Sequence, residues 1–428
     1  MIYYYIMAVE AVSGAAHKEV AANFMWRSLQ TLGKQGVIFA IFIICAKLLS
    51  VYEFGIYNYL LAIIYLCALL GDFGISAAAS KYAAEYNTID RSKLRLVLFS
   101  AGAIILFLAL AVSAFMKLFG RTFLAEKYRY FLYLAPLIFF MPMTSLYDGI
   151  YMGLKRFRTC SLITVITGLI CIAPAFVLIR KYGLVGALMA QNIFYASLLL
   201  ALAAGYREFS LKLDKGVIAQ IGRYSLLLGL ASVGIFLYMR FDVIMLGLFG
   251  YIDEIAYYEL VNRILVILTV PWLVLCQVIA PDVTAAFSRS DVDYVRIKFS
   301  GYSRLSLLYG SIIAAAFFIV GRQAIPIFLP DYNRGMFHLF LLAGLVVFPV
   351  RLFGTVLVSS FIVPTGNARI VTYINLIFAL VRIALNYVLI AAYGAAGIAV
   401  SMVVLDYAPV FIARHIFVKS IKKGSGLS

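Results

Sequence analysis

The chain has 428 residues, 64% of them apolar and only 13% charged, against about 45–50% apolar and about 25% charged in an average soluble domain. That balance excludes a soluble globule. The net charge of +17, from 36 Lys and Arg against 19 Asp and Glu, belongs in a membrane protein to its cytoplasmic loops rather than to a nucleic-acid surface.

In chain order, residues 1–31 lack the basic start and apolar core of a secretory signal and read as a cytoplasmic or interfacial lead-in. Apolar runs then fall near 32–51, 56–79, 94–116, 130–152, 159–179 and 183–205. A polar stretch, 206–223, follows as a cytoplasmic linker. Six more runs lie near 224–249, 255–281, 302–320, 336–362, 370–391 and 394–413, before a basic tail at 414–428. With ~20 residues per span, the expectation is an all-α polytopic membrane protein of about twelve helices. The six-span groups 32–205 and 224–413 form two bundles. No connection is long enough for an enzymatic ectodomain.

Counted over alternate connections, Lys and Arg number 23 on the side that holds the N-terminus and eight on the other. Basic loops resist translocation, so both termini are expected in the cytoplasm. All five cysteines (Cys45, Cys67, Cys160, Cys171, Cys276) lie in or at the ends of apolar runs and form no C-x-x-C pair, and the three histidines are scattered. A disulfide scaffold, a metal site and a cofactor therefore have no motif behind them.

The chain also repeats itself. Val177-Leu178-Ile179-x-x-Tyr182-Gly183-x-x-Gly186 recurs at an offset of 211 as Val388-Leu389-Ile390-x-x-Tyr393-Gly394-x-x-Gly397, and Arg158 falls on Arg369 at the same offset. Glu53-x-x-x-Tyr57 recurs as Glu254-x-x-x-Tyr258 at 201. Tyr-Gly-x-x-Gly is a cheap interhelical turn, but three matches in the same order argue for duplication. Six helices per copy leave the halves pseudo-symmetric about an axis along the membrane normal, the plan of transporters that rock two bundles around a central site.

Charges within spans cost about 2.5–3.5 kcal/mol each at a helix centre, so those kept are paired, wet or functional. The basic ones are Lys47, Arg240, Arg263, Arg351 and Arg382; the acidic ones are Asp72, Asp148, Asp242, Glu259 and, towards the end of the last span, Asp406. Asn375, Arg382 and Asn386 share one helix face with Tyr393; Arg351, Thr355 and Ser359 make a second polar stripe. Glu259 and Arg263, four apart, can pair along the eighth span beside Asn262, and Asp242 lies close to Arg240. Arg351 and Arg382, roughly 22 and 18 Å into their spans, have no carboxylate one turn away, which points to a water-filled cavity. Guanidinium matches phosphate oxygens in bidentate geometry, so a phosphorylated lipid or acidic sugar is the expected cargo. Ser145, Gly149 and Gly153 form a small-residue series for close helix packing.

Several stretches resemble the O-antigen-type flippases, the polysaccharide branch of the multidrug/oligosaccharidyl-lipid/polysaccharide exporter superfamily. They are Glu53-Phe54-Gly55-x-Tyr57, Leu70-Gly71-Asp72-Phe73-Gly74-Ile75, Gly149-x-x-x-Gly153-Leu154-x-Arg156-Phe157, Arg240-Phe241-Asp242-x-x-Met245-Leu246-Gly247 and Pro364-Thr365-Gly366. The resemblance implies a MATE-like fold and a flippase for polyprenyl-pyrophosphate-linked oligosaccharide in a prokaryotic plasma membrane, surrounded by lipid, with polysaccharide polymerase and chain-length proteins as partners. It implies a cationic cavity of Arg240, Arg351 and Arg382, joined by Arg263, Asn375 and Asn386. It also implies ion coupling, with Asp72 or Asp148 carrying a proton or sodium ion and Asp242 and Glu259 as further carboxylate candidates. The two extra helices of lipid II flippases are absent from the pattern. A drug/cation antiporter of the same superfamily, for which a carboxylate-lined cavity would be expected, and a membrane polymerase or glycosyltransferase are the rival readings.

Overall fold

The computed structural model describes residues 2–206, 208, 210, 212–289 and 291–424, with side chains over most of 25–419. Among the described residues every regular element is helical: α1 (Ile2–Leu48), α2 (Val51–Asp72), α3 (Ile75–Ile89), α4 (Arg91–Leu124), α5 (Tyr128–Leu134), α6 (Leu137–Gly153) and α7 (Phe157–Gly205), then α8 (Lys215–Leu248), α9 (Ile252–Ser288), α10 (Val292–Phe328), α11 (Gly335–Val356), α12 (Ala368–Tyr393) and α13 (Ala396–Gly424). This is what a chain without water to satisfy its backbone is forced to do, since a helix pairs its own N–H and C=O groups. The protein is a multi-pass membrane protein.

Ten of the described helical stretches are long and apolar enough to cross a membrane, against about twelve expected. The difference has two sources. α7 is counted once although it turns at Gly183, whose φ of 55° and ψ of −130° break the helix into two arms. α6 is only 17 residues long, and Ala135 and Pro136 separate it from α5. The first apolar stretch runs Met25–Leu48, so α1 passes through the expected lead-in without a break.

The repeat is visible in the backbone. Gly183 and Gly394 adopt the same rare conformation, with φ 55° and ψ −130° in one and φ 61° and ψ −150° in the other, a region that strains any residue with a Cβ. Three residues on, a Cβ at Gly186 would lie 2.0 Å from the Leu178 carbonyl oxygen, and one at Gly397 2.3 Å from that of Leu389. Each Tyr-Gly-x-x-Gly therefore folds the chain back through one and the same tight corner.

The chain divides into two compact units. Unit 1 holds Met1–Leu49 and Ile63–Val233. There α3 and α6 pack at backbone distance, because Gly149 and Gly153 face the carbonyls of Ser76 and Ser80; a Cβ on either would come within 2.4 and 2.3 Å of those oxygens. Ser145, the third member of the expected series, is exposed. Unit 2 holds Ser50–Ala62 and Gly234–Ser428. Its core is aromatic: buried Phe54 meets Tyr332 edge-on at 6.0 Å, and Tyr332 meets Tyr257 at 6.1 Å. The first half of α2 thus belongs with the second unit. The division falls inside α8, which starts at Lys215, so residues 215–223 of the expected linker are helical.

Candidate functional site

In unit 1 the two intramembrane carboxylates, Asp148 and Asp72, have local partners. Asp148 on α6 accepts from Arg27 Nη1 at 2.9 Å and from Gln30 Nε2 at 2.8 Å, both on α1, while the Cys160 thiol lies 3.3 Å away. Asp72 ends α2, where Phe73 and Gly74 take φ of 37° and 78° and the helix restarts as α3. Its Oδ1 accepts from the Ser76 N–H at 3.1 Å and from the Ser76 hydroxyl. It thereby satisfies a first-turn donor that the break leaves without a helical acceptor. Of the four coupling candidates, Asp72 alone has no ion pair among the described residues.

In unit 2 the arginines do not stand alone. Asp406 on α13 bridges two of them: Oδ1 accepts from Arg382 Nη2 at 2.9 Å, and Oδ2 from Arg351 Nε at 2.8 Å. Arg382 also donates from Nη1 to Asp242 Oδ2 at 2.9 Å, and its guanidinium lies 4.7 Å over the Tyr238 ring. Asp242 further accepts from the Tyr258 hydroxyl at 2.5 Å and from Asn386 Nδ2 at 2.6 Å, and Ser401 donates to Asn386 Oδ1. Arg240 Nη1 reaches Glu259 at 2.6 Å. One polar network thus ties α8, α9, α11, α12 and α13 together.

This corrects the expectation of water around both arginines without a carboxylate nearby. Their carboxylates come from other helices. Arg382 is 3% exposed and belongs to the network's interior. Arg351 and Arg240, with side chains 30% and 35% exposed, have partners on one side and open space on the other. The helix that carries Asp406, α13, continues past it to Gly424. Asp242 turns to Arg382 because residues two apart on a helix do not share a face.

The open space is a cavity of about 560 Å³ whose lining comes wholly from unit 2. Of the residues singled out in the sequence, Arg240, Arg263, Arg351, Arg382 and Asn375 border it, whereas Asn386 is fully buried. Thr355 and Ser359 line it too, but Tyr393 is 67% exposed and leaves its expected stripe. After Val356 the helix loosens into a π-turn, Leu357–Ile362, with Val363 N–H bonded to the Val358 carbonyl at 3.1 Å. Such turns concentrate at functional sites; here the turn presents Leu357, Val358 and Ser359 in succession to the cavity. Among the described residues no group of three His, Cys, Asp or Glu is placed to hold a metal ion.

The arginine-bordered cavity thus lies inside the helical bundle of a multi-pass membrane protein. The sequence family narrows this: residues 20–286 match the model of the family described as polysaccharide biosynthesis protein, and the chain belongs to that family, within the multidrug/oligosaccharidyl-lipid/polysaccharide exporter superfamily. No curated protein matches it in sequence. Its fold is similar to that of an inward-facing multidrug resistance MATE transporter of the same superfamily, at a TM-score of 0.78 and 14% identity over 92% of this chain and 96% of that one. It is also similar to the lipid II flippase MurJ in an inward closed conformation, at 0.75 and 14% over 94% and 90%. The MATE transporter VcmN of Vibrio cholerae, in its bent form, matches at 0.59 and 13% over 97% and 99%. The expected MATE-like all-α fold is the one found.

Proposed function

We propose that this protein is a flippase that moves a polyprenyl-pyrophosphate-linked oligosaccharide from the cytoplasmic to the outer leaflet of a prokaryotic plasma membrane. The glycan would serve surface polysaccharide such as O-antigen, capsule or exopolysaccharide. The observation that carries this reading is the cavity of unit 2, where Arg240 and Arg351 present guanidinium groups to open space while being held from behind by Glu259 and Asp406. Guanidinium pairs of this kind suit the oxygens of a diphosphate. The polysaccharide biosynthesis family supplies the glycan, and the lipid II flippase among the similar folds supports a lipid-linked one. Transport rather than bond chemistry is the activity, with both termini cytoplasmic on the count of basic residues and with polymerase and chain-length proteins as downstream partners.

Arg240, Arg351 and Arg263 would contact the anion, with Asn375 about two turns of α12 from Arg382 as a further polar contact for the cargo, while Arg382 and Asn386 hold the network in place. Of the coupling candidates Asp72 is the one we favour for a proton or sodium ion, since Asp148, Asp242 and Glu259 already have a cationic partner. The test is to delete the gene and follow the glycan. Loss of surface polysaccharide with its lipid-linked unit accumulating on the cytoplasmic leaflet, unrescued by an Arg240→Ala, Arg351→Ala copy present at normal level, is the expected result. Unchanged glycan together with new sensitivity to cationic drugs would replace the flippase by the antiporter.

A further inference from the structure

The cavity of unit 2 is not uniform along its length. On α9 its lining passes from Glu259, Asn262 and Arg263 to Leu265, Val266 and finally Leu273, a rise of about 21 Å at 1.5 Å per residue. On α11 and the π-turn it passes from Arg351 to Leu357 and Val358, and on α13 from Asp406 to Val410 and Ala413. α12 is joined to α13 through Gly394 and Ala395 alone and runs opposite to it; accordingly its order is reversed, with Arg382 late and Val371, Ile374 and the amide of Asn375 early. The four helices therefore agree. One end of the cavity is a layer of charge, held in register by the pairs Arg240–Glu259, Arg351–Asp406 and Arg382–Asp406, and the other end is hydrocarbon.

Thr269, Thr355, Ser359 and Asn375 interrupt the hydrocarbon end, and the two threonine hydroxyls are partly spent already. Thr269 donates to the Leu265 carbonyl at 2.8 Å and Thr355 to that of Arg351 at 2.9 Å, so each presents mainly a methyl group to the space. A volume of about 560 Å³ exceeds what a diphosphate fills and falls in the range of sites that enclose a drug-sized ligand, about 300–1,000 Å³. A purely ionic ligand would leave the apolar half wet; a purely apolar one would set hydrocarbon against the charged layer.

Building on the flippase reading, we infer that the cavity is a site for an amphiphilic anion. The charged end takes the phosphate, and the apolar end takes the hydrocarbon directly attached to it, so that the first prenyl units are recognised together with the head rather than left in the lipid. Recognition of the cargo would then lie within unit 2 and not depend on the glycan.

The test uses the purified full chain and a soluble series with zero, five and ten carbons: inorganic pyrophosphate, dimethylallyl pyrophosphate and geranyl pyrophosphate, with geraniol as the uncharged control, measured by titration calorimetry. Affinity is expected to rise by about tenfold or more from pyrophosphate to the geranyl ester, as burial of several methylenes requires, and geraniol to bind far more weakly than its ester. In a Val358→Thr, Val410→Thr variant, which keeps the shape and adds polarity, the ratio of geranyl to inorganic pyrophosphate affinity should fall by about fivefold or more, with thermal unfolding confirming that the variant is folded. A flat series, an unchanged ratio in the variant, or geraniol binding as tightly as its ester overturns the amphiphile site. If none of the four binds, the phosphate reading of the cavity falls as well.

Discussion

Removing one carboxylate from the network of unit 2 should cost stability in an order set by how much water can reach the arginine left behind. Breaking a buried ion pair from one side costs about 3–5 kcal/mol, because the remaining charge is stranded. Asp242 is 2% exposed and accepts from Arg382, Asn386 and Tyr258, so Asp242→Asn should reach that range, about 4 kcal/mol. Asp406→Asn leaves Arg382 with Asp242, and leaves Arg351 with the cavity to rehydrate its 30% exposed side chain; about 2–3 kcal/mol is expected. Glu259→Gln affects an arginine 35% exposed and should cost about 1 kcal/mol. All five cysteines are buried, so thermal unfolding followed by a thiol-reactive fluorophore reads the transition directly. Midpoints falling in the order Asp242, Asp406, Glu259 from lowest to highest are the expectation. Equal midpoints for Asp242→Asn and Glu259→Gln would refute the argument that burial decides the cost.

Three further outcomes follow from the packing. Gly149→Val should separate α3 from α6, since its Cβ would meet the Ser76 carbonyl oxygen at 2.4 Å; about 2 kcal/mol or more of destabilisation is expected in the same thiol assay. Gly183→Ala and Gly394→Ala should each cost about 1–3 kcal/mol through backbone strain, and their effects should add in the double variant, since the two corners lie in separate units. Asp90 caps α4 by accepting from Ser92 and Lys93, and the Ser92 hydroxyl holds its carboxyl below the usual carboxylate range. A group whose pKa is lowered by folding stabilises above its unfolded pKa and ceases to as pH falls through the folded one, so the stability gap between wild type and Asp90→Ala should be full at neutral pH and close under acid.

The parts of this molecule governed by period and composition were legible in the sequence. The spans follow from runs of apolar residues, the duplicated corner from Tyr-Gly-x-x-Gly at a fixed offset, and the stripe of Arg351, Thr355 and Ser359 from helical spacing, because each is a property of one segment. What the sequence hid is who faces whom between segments. Asp406 is 24 residues from Arg382 and 55 from Arg351, and Arg27 is 121 from Asp148. No local signal links such pairs. Looking for a carboxylate one turn away therefore made two paired arginines look solitary. The π-turn at Leu357–Ile362 was equally invisible, since it departs from the regular spacing on which the reading rests.

The carboxylates behind the arginines change what the cavity can do. Four arginines border it, Arg240, Arg263, Arg351 and Arg382, while Asp242, Glu259 and Asp406 are bonded to three of them. A cage of bare guanidinium groups in a low-dielectric interior would bind a diphosphate strongly but release it slowly, since most differences in affinity appear in the off-rate. Here a phosphate that engaged Arg240 or Arg351 from the open side would compete for the charge of a guanidinium with a carboxylate already in place. The proposed diphosphate cargo would therefore gain less than from bare guanidinium groups, which would keep binding shallow enough for turnover. The same competition ties binding to shape. Loosening Asp406 from Arg351 loosens α13 from α11, and loosening Glu259 from Arg240 loosens α9 from α8. An anion that binds the arginines better than the carboxylates do thus shifts the packing of these helices by the differential affinity it realises. A Glu259→Gln, Asp406→Asn variant removes the competitors, so it should hold pyrophosphate more tightly than wild type and transport more slowly; weaker binding together with slower transport would mean that the carboxylates only position the arginines.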